Sequence, residues 1–312
     1  MSKHKEFEVG EIKDYSLKKR PSKVTTMDFA QPLRKDSISG LASTLPNVLA
    51  ANHLRGLVER IREAREKRRS IIWGFGGHVI KVGLAPVLID LMDRGFITAL
   101  ATNGSGMIHD FEIALAGHTS ENVEDQLEIG SFGMARETGE LLNRAICKGA
   151  SEGKGIGESV GELLDQSGVN YAEVSVFLQA HRRNLPCTVH IAMGTDIIHN
   201  HPSASGEAMG KTSQIDFRVF IQQVSLLNDG GVYLNVGSAV ILPEVFLKAV
   251  ALIRNIGHSL DHFTTANLDF IQHYRSSKNV VERPVMNSGK GIALTGHHEI
   301  MIPLLSAMLI HS

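Results

Sequence analysis

From residue 70 onward the sequence repeats one pattern: a short apolar run, a turn of glycine and polar residues, and then a helical stretch. The clearest example is 99–117, where the run Ala-Leu-Ala-Thr leads through Asn-Gly-Ser-Gly into a helical pattern with acidic residues. Strands that alternate with helices of ten or more residues indicate a parallel sheet covered on both faces. The sequence therefore predicts an α/β fold built around such a sheet.

Six apolar runs fit the strands of this sheet. They span residues 70–75, 97–102, 187–193, 232–236, 263–268 and 292–295. Helices are predicted at 45–69, 84–92, 107–116, 130–147, 213–227 and 243–255, with a further helix start in the glycine-rich segment 151–161 and a terminal helix after the last strand. In open sheets of this type, ligands bind beyond the carboxyl ends of the strands.

The first 45 residues are polar and carry a basic cluster at 18–20. No aromatic residues interleave with these charges, so we interpret the segment as a solvated or partner-docked arm rather than a nucleic-acid-binding tail. The remaining residues, 46–312, are predicted to form a single α/β domain.

Composition narrows the class of protein. The formal net charge of −1 argues against a nucleic-acid or membrane partner. No apolar run approaches the roughly 18 residues that span a bilayer, and the N-terminus lacks the apolar centre of a secretory signal. The two cysteines, Cys147 and Cys187, lie far apart, so a structural disulfide is not expected and a reducing cytoplasm fits. We therefore predict a cytoplasmic protein, and its expected partner is a small-molecule substrate.

Histidine and lysine side chains near the predicted strand ends are the candidates for catalysis. The chain has 15 histidines, and imidazole transfers protons near neutral pH. His109 follows the Gly-Ser-Gly turn, and His199 follows the third strand, so either could move protons. Lys211 and Lys290 are predicted to lie in glycine-bearing loops and are candidate amine carriers or phosphate contacts.

Two alternatives remain open from the residues alone. His199 and His201 could share a divalent metal with Asp196, because alternate side chains of an extended segment point the same way. Such a metal would activate water or polarise a substrate. The other alternative is a ligand-sensing protein with a degenerate cofactor pocket.

Several segments together resemble the sheet of deoxyhypusine synthase. Residues 185–196, 232–246, 262–267 and 292–305 match that family in order and spacing. The turn at 102–106 resembles the family's Thr-Thr-Ala-Gly-Gly turn. The resemblance implies a Rossmann-like fold, bound NAD and a homotetramer with active sites between subunits. It also implies a reaction that oxidises spermidine through NAD and passes an aminobutyl group from a lysine to a protein lysine.

The resemblance also assigns site residues. The family's lysine segment corresponds to 287–290, where Ser-Gly-Lys is present without the family's tryptophan, so Lys290 is the counterpart of the lysine carrier. We thus expect an NAD-dependent transferase or oxidoreductase acting on an amine. The positions implied to bind the cofactor are Gly76, Gly77, His78, Asn103, Gly104, Ser105, Gly106, Thr195, Asp196, Gly237, Ser238 and His297.

Overall fold

The computed structural model describes residues 44–128 and 130–311. Within them, six parallel strands form one sheet in the order β3-β2-β1-β4-β5-β6. From β1 the sheet grows in one direction through β2 and β3, and from β4 it grows in the opposite direction through β5 and β6. The carboxyl ends of β1 and β4 are called the switch point below. The strands are β1 (Ile71–Phe75), β2 (Ala99–Asn103), β3 (Cys187–His190), β4 (Val232–Val236), β5 (Thr264–Asp269) and β6 (Lys290–Thr295).

Helices connect the strands and cover the sheet. None of those in the described residues is long and apolar enough to cross a membrane. A π-helical turn, Ser277–Glu282, follows β5. The helices are α1 (Leu49–Glu66), α2 (Gly77–Lys81), α3 (Ala85–Asp93), α4 (Gly104–Ala116), α5 (Val123–Glu128), α6 (Arg136–Glu152), α7 (Ile156–Ser167), α8 (Val176–Arg182), α9 (Gly206–Ser225), α10 (Ile241–Asn255), α11 (Tyr274–Ser276) and α12 (His298–His311).

Two hydrophobic cores lie on the two faces of the sheet. In β1, Trp73 and Phe75 join the larger core with α1, α3, α4 and α12, whereas Ile72 joins the smaller core with α9 and α10. In the smaller core, Tyr233 stacks on Phe246 with ring centroids 3.9 Å apart. Burial on both faces explains why the strands read as continuous apolar runs. The predicted α/β, Rossmann-like fold is confirmed.

The ends of the elements differ from the predictions where side chains cap helices. α4 begins at Gly104, inside the predicted turn, because the Asn103 side chain accepts a hydrogen bond from the Gly106 amide at 3.0 Å. α9 begins at Gly206 rather than 213, because the Ser205 hydroxyl accepts from the Ala208 amide at 3.2 Å. Strand β3 ends at His190 rather than 193. The predicted arm, apart from its last residues, lies outside the described residues.

Candidate functional site

The switch point is built from two glycine turns. A side chain on Gly76, at the end of β1, would collide with the carbonyl group of Gly237 at the end of β4. Gly237 has a φ of +65°, and its Cα faces the ring of His298. The close approach of neighbouring atoms therefore explains both glycines.

The turn after β1 also packs against the start of α4. A Cβ atom on Gly77 would collide with the Ser105 hydroxyl and lie 3.1 Å from Cδ2 of His109. One on Gly104 would collide with the carboxylate of Asp196. The structure therefore brings together three of the predicted segments, namely those after β1, β2 and β3.

A cavity of about 220 Å³ lies between α4 and the loop after β3. Its polar lining comes from several parts of the chain and contains more acids than bases. A neighbouring cavity of about 540 Å³ shares Glu112 and Glu121 with it. The charged, imidazole and hydroxyl side chains of this lining include Lys81, Ser105, His109, Glu112, Glu121 and Asp196.

His109 is held by a short chain of hydrogen bonds. Its Nδ1 lies 2.7 Å from the Thr119 hydroxyl, which donates to Glu112 Oε2 at 2.5 Å. Glu112 also accepts from Thr138 at 3.0 Å. Because the Thr119 proton is given to Glu112, Nδ1–H must donate to Thr119, and the lone pair of Nε2 is left free. Burial, together with the charge of Lys81, lowers the pKa of His109 to about 4, so the ring is neutral near pH 7.

Asp196 and His199 form a buried pair beside this cavity. Burial raises the pKa of Asp196 to about 6. His199 Nδ1 accepts from the amides of Gly194 at 3.0 Å and Asp196 at 3.3 Å. Its Nε2 therefore carries the proton and lies 3.9 Å from Asp196 Oδ2. Neither Nε2 nor Oδ2 has a hydrogen-bond partner among the described residues.

A cluster of imidazole and phenyl rings lies behind the switch point. His298 is fully buried and donates from Nε2 to the Leu268 carbonyl at 3.2 Å, which leaves Nδ1 as an acceptor without a partner in residues 44–128 and 130–311. Burial lowers its pKa. His78 lies 5.5 Å from this ring, and His297 stacks on the exposed Phe270. The sequence assigned His297 to the cofactor and not its neighbour His298, and both lie where α12 begins.

Both predicted lysines lie away from the cavity. Lys290 is the first residue of β6 and pairs with Thr264, so it lies at the amino end of the sheet. Lys211 is exposed on α9 rather than in a loop. Neither lysine lines this cavity, and the catalytic roles predicted for them remain predictions.

The predicted metal ligands are not arranged as a metal site. Nδ1 of His201 lies 2.7 Å from the Ser203 hydroxyl, and its ring packs against Gly139 of α6. His199 uses Nδ1 for backbone contacts. In the part of the chain that the structure describes, no group of three or more His, Cys, Asp or Glu side chains is positioned to hold a metal ion. The geometry therefore gives the metal alternative no support.

Comparison with known proteins identifies the fold. No protein-family model and no curated protein matches the sequence. A protein assigned to the LOR/SDH class from Methanococcus maripaludis has 16% identity and a TM-score of 0.53, over 84% of this chain and 70% of that one. The ternary complex of AgrE with ornithine and NAD+ has 13% identity and a TM-score of 0.53, over 85% of this chain.

This chain covers only 34% of AgrE. A protein assigned as a deoxyhypusine synthase from Entamoeba histolytica is also similar, with 12% identity and a TM-score of 0.49 over 87% of this chain and 92% of that one. The chain has the α/β fold of the LOR/SDH protein and of the part of AgrE that it covers.

Proposed function

We propose that this protein is an NAD-dependent enzyme that oxidises a small amine. The observation that carries the proposal is the position of His109. It packs against Gly77 of the β1 turn and also lines the acidic cavity. A neutral imidazole therefore stands between the switch point and a cavity suited to a cation. The fold is shared with AgrE, whose solved complex contains NAD+ and ornithine.

The residues at the switch point fit a dinucleotide. Gly76 and Gly237 present only backbone, and His298 Nδ1 is a buried acceptor with no partner among the described residues. NAD carries hydroxyl and amide donors that suit such an acceptor. The turns at 76–78 and 237–238 would hold NAD, which accepts a hydride when bound.

The start of α4 is less suited to the phosphates of NAD. A helix N-terminus attracts anions, but the carboxylate of Asp196 already faces Gly104 there. A phosphate at the same place would be repelled by this carboxylate. Among the positions implied by the resemblance, we therefore assign the phosphates to the β1 turn and not to 103–106.

The cavity suits a cationic amine. Glu112, Glu121 and Asp196 contribute three carboxyl groups to its lining, against the single ammonium of Lys81. Opposite charges attract strongly where water is partly excluded. We assign the binding of the substrate ammonium to this acidic wall.

His109 supplies the base. An alkylammonium becomes an iminium by losing one proton and one hydride. Because Nδ1 is engaged with Thr119 and the ring is neutral, Nε2 is free to accept the proton that the ammonium loses. No lysine carrier is assigned, since Lys290 lies at the other end of the sheet.

The experiment that tests this function combines binding and turnover. NAD+ is titrated into the full chain, and NADH formation is followed with a panel of small amines. His109→Asn keeps a donor for Thr119 and removes Nε2, and His201→Asn is the matched control. We expect NAD+ binding and amine-dependent NADH formation that only His109→Asn abolishes. Absence of NAD+ binding would refute the function, and binding without turnover would favour a ligand-sensing protein.

A further inference from the structure

Asp196 and His199 present an acceptor and a donor to one another across a gap that is too long for a hydrogen bond. Their side chains are only 7% and 5% exposed, and Oδ2 and Nε2 lie 3.9 Å apart. Neither atom has a partner in residues 44–128 and 130–311. Buried polar groups are normally hydrogen-bonded, so two such atoms side by side point to a group that binds both.

The chemistry of that group follows from the two atoms. His199 Nε2 is a donor, because Nδ1 accepts from the amides of Gly194 and Asp196. The carboxylate of Asp196 is an acceptor. A single group that satisfies both must accept one hydrogen bond and donate another. A hydroxyl or a water molecule does this, whereas an ammonium only donates and a carboxylate or phosphate only accepts. An oxygen about 2.8 Å from each atom would complete both bonds.

We propose that Asp196 and His199 bind a hydroxyl group of the substrate, which makes the substrate an amino alcohol. This inference rests on the proposed function, because it takes the amine to lie in the cavity that Asp196 lines with Glu112 and Glu121. The hydroxyl is assigned to the substrate rather than to a ribose of NAD because this cavity of about 220 Å³ has an acidic wall, which attracts a cation.

The test uses pairs of probes that differ only in hydroxyl groups. Ethanolamine is compared with ethylamine, serinol with isopropylamine, and NAD+ with an analogue that lacks the ribose hydroxyls. Each is titrated at pH 8 into the full chain with isotope-labelled histidine, and the imidazole resonance of His199 is followed by NMR. His199→Asn identifies that resonance. Binding to the same variants is measured calorimetrically, because His199→Asn has no imidazole to observe.

His199→Asn also provides the decisive variant. Its side-chain oxygen can still accept from the Gly194 and Asp196 amides, but the Nε2–H donor is gone. His201→Asn makes the same change outside the pair. We expect wild type and His201→Asn to bind each amino alcohol at least about tenfold more tightly than its partner amine. In His199→Asn, which keeps the Asp196 acceptor, this preference should fall by about two- to tenfold.

The contrary outcomes are distinct. Equal affinity for the paired amines, or no shift of the His199 resonance with any probe, would overturn the inference. Discrimination confined to the dinucleotide pair would assign the hydroxyl to the cofactor and would also overturn it. The wild-type titrations decide the matter if the variant does not fold. NADH formation in the same samples judges the proposed function separately, because hydroxyl-selective binding without turnover would refute only that function.

Discussion

Two buried aspartates near opposite ends of β3 differ in what their oxygens contact. Asp216, beside a cavity of about 300 Å³ near the amino end, accepts from the amides of Gly157 at 3.0 Å and Val189 at 2.8 Å. Asp196, beyond the carboxyl end, has an oxygen with no partner among the described residues. Burial raises the pKa of Asp216 to about 7 and that of Asp196 to about 6.

The difference shows that burial and a raised pKa do not by themselves mark a functional group. Asp110 makes the same point, because burial raises its pKa to about 6 while it accepts from the Ser175 hydroxyl and the Val176 amide, each at 2.6 Å. Asp110 and Asp216 each fasten the start of a helix. An unpaired oxygen beside a cavity is what distinguishes Asp196.

The largest effect should come from replacing His109, the proposed general base, which lines the cavity of about 220 Å³. We expect His109→Asn to lower kcat for amine oxidation by about 100-fold or more, because a positioned general base typically contributes at least that much. Initial rates of NADH formation measure the change, with His201→Asn as the control. A kcat within about twofold of wild type would exclude His109 as the base.

The two aspartates should differ in their effect on stability. Asp216→Ala leaves the Gly157 and Val189 amides without their acceptor, so we expect it to lower the free energy of unfolding by about 2–3 kcal/mol. Asp196→Ala removes a carboxylate that makes fewer contacts and should lower it by less than about 1 kcal/mol. Urea unfolding measures both values. An equal or larger loss for Asp196→Ala would contradict the distinction.

Amine affinity should depend on pH through Asp196. Its raised pKa of about 6 means that the carboxylate is charged above that pH and becomes protonated below it. We expect the affinity for a cationic amine to fall by up to about tenfold per pH unit below pH about 6, and Asp196→Asn to flatten the profile. Calorimetric titrations across this range test the sign. An affinity that is constant or rises on acidification would refute the assignment.

The smallest effects should come from the two lysines. Lys290 lies at the amino end of β6, and Lys211 is exposed on α9. We expect Lys290→Ala and Lys211→Ala each to leave kcat/KM within about twofold of wild type. Steady-state kinetics of the two variants provide the check. A large loss for Lys290→Ala would restore the lysine-carrier reaction that the sequence resemblance implies.

The fold was largely accessible from the sequence because local patterns encode it. β4 matches its predicted bounds, 232–236, since its residues are buried on both faces and form an uninterrupted apolar run apart from Asn235. The start of α9 was missed because Ser205 caps it from within a segment that has the composition of a loop. Lys290 was mistaken for a loop residue because β6 is an edge strand with an exposed first residue.

The site could be predicted only in part from the sequence, because its contacts join segments that are distant along the chain. The positions of His109 and Asp196 near predicted strand ends were enough to mark both as candidate site residues. Their contacts were not predictable: Thr119 fixes the tautomer of His109 from beyond the end of α4, and Asp196 packs on Gly104 from a different turn. His201 followed the same local pattern as His199 and yet turns towards Ser203 and Gly139. Only tertiary packing gives the two histidines different contacts, and the local sequence pattern does not show it.

The central claim is that the switch point binds NAD next to a cavity for a small amine. Isothermal titration of NAD+ into the full chain, followed by addition of ethanolamine while NADH is monitored, tests it most directly. The account predicts saturable binding at one site per chain and NADH formation once the amine is added. Absence of binding by both NAD+ and NADH would contradict it.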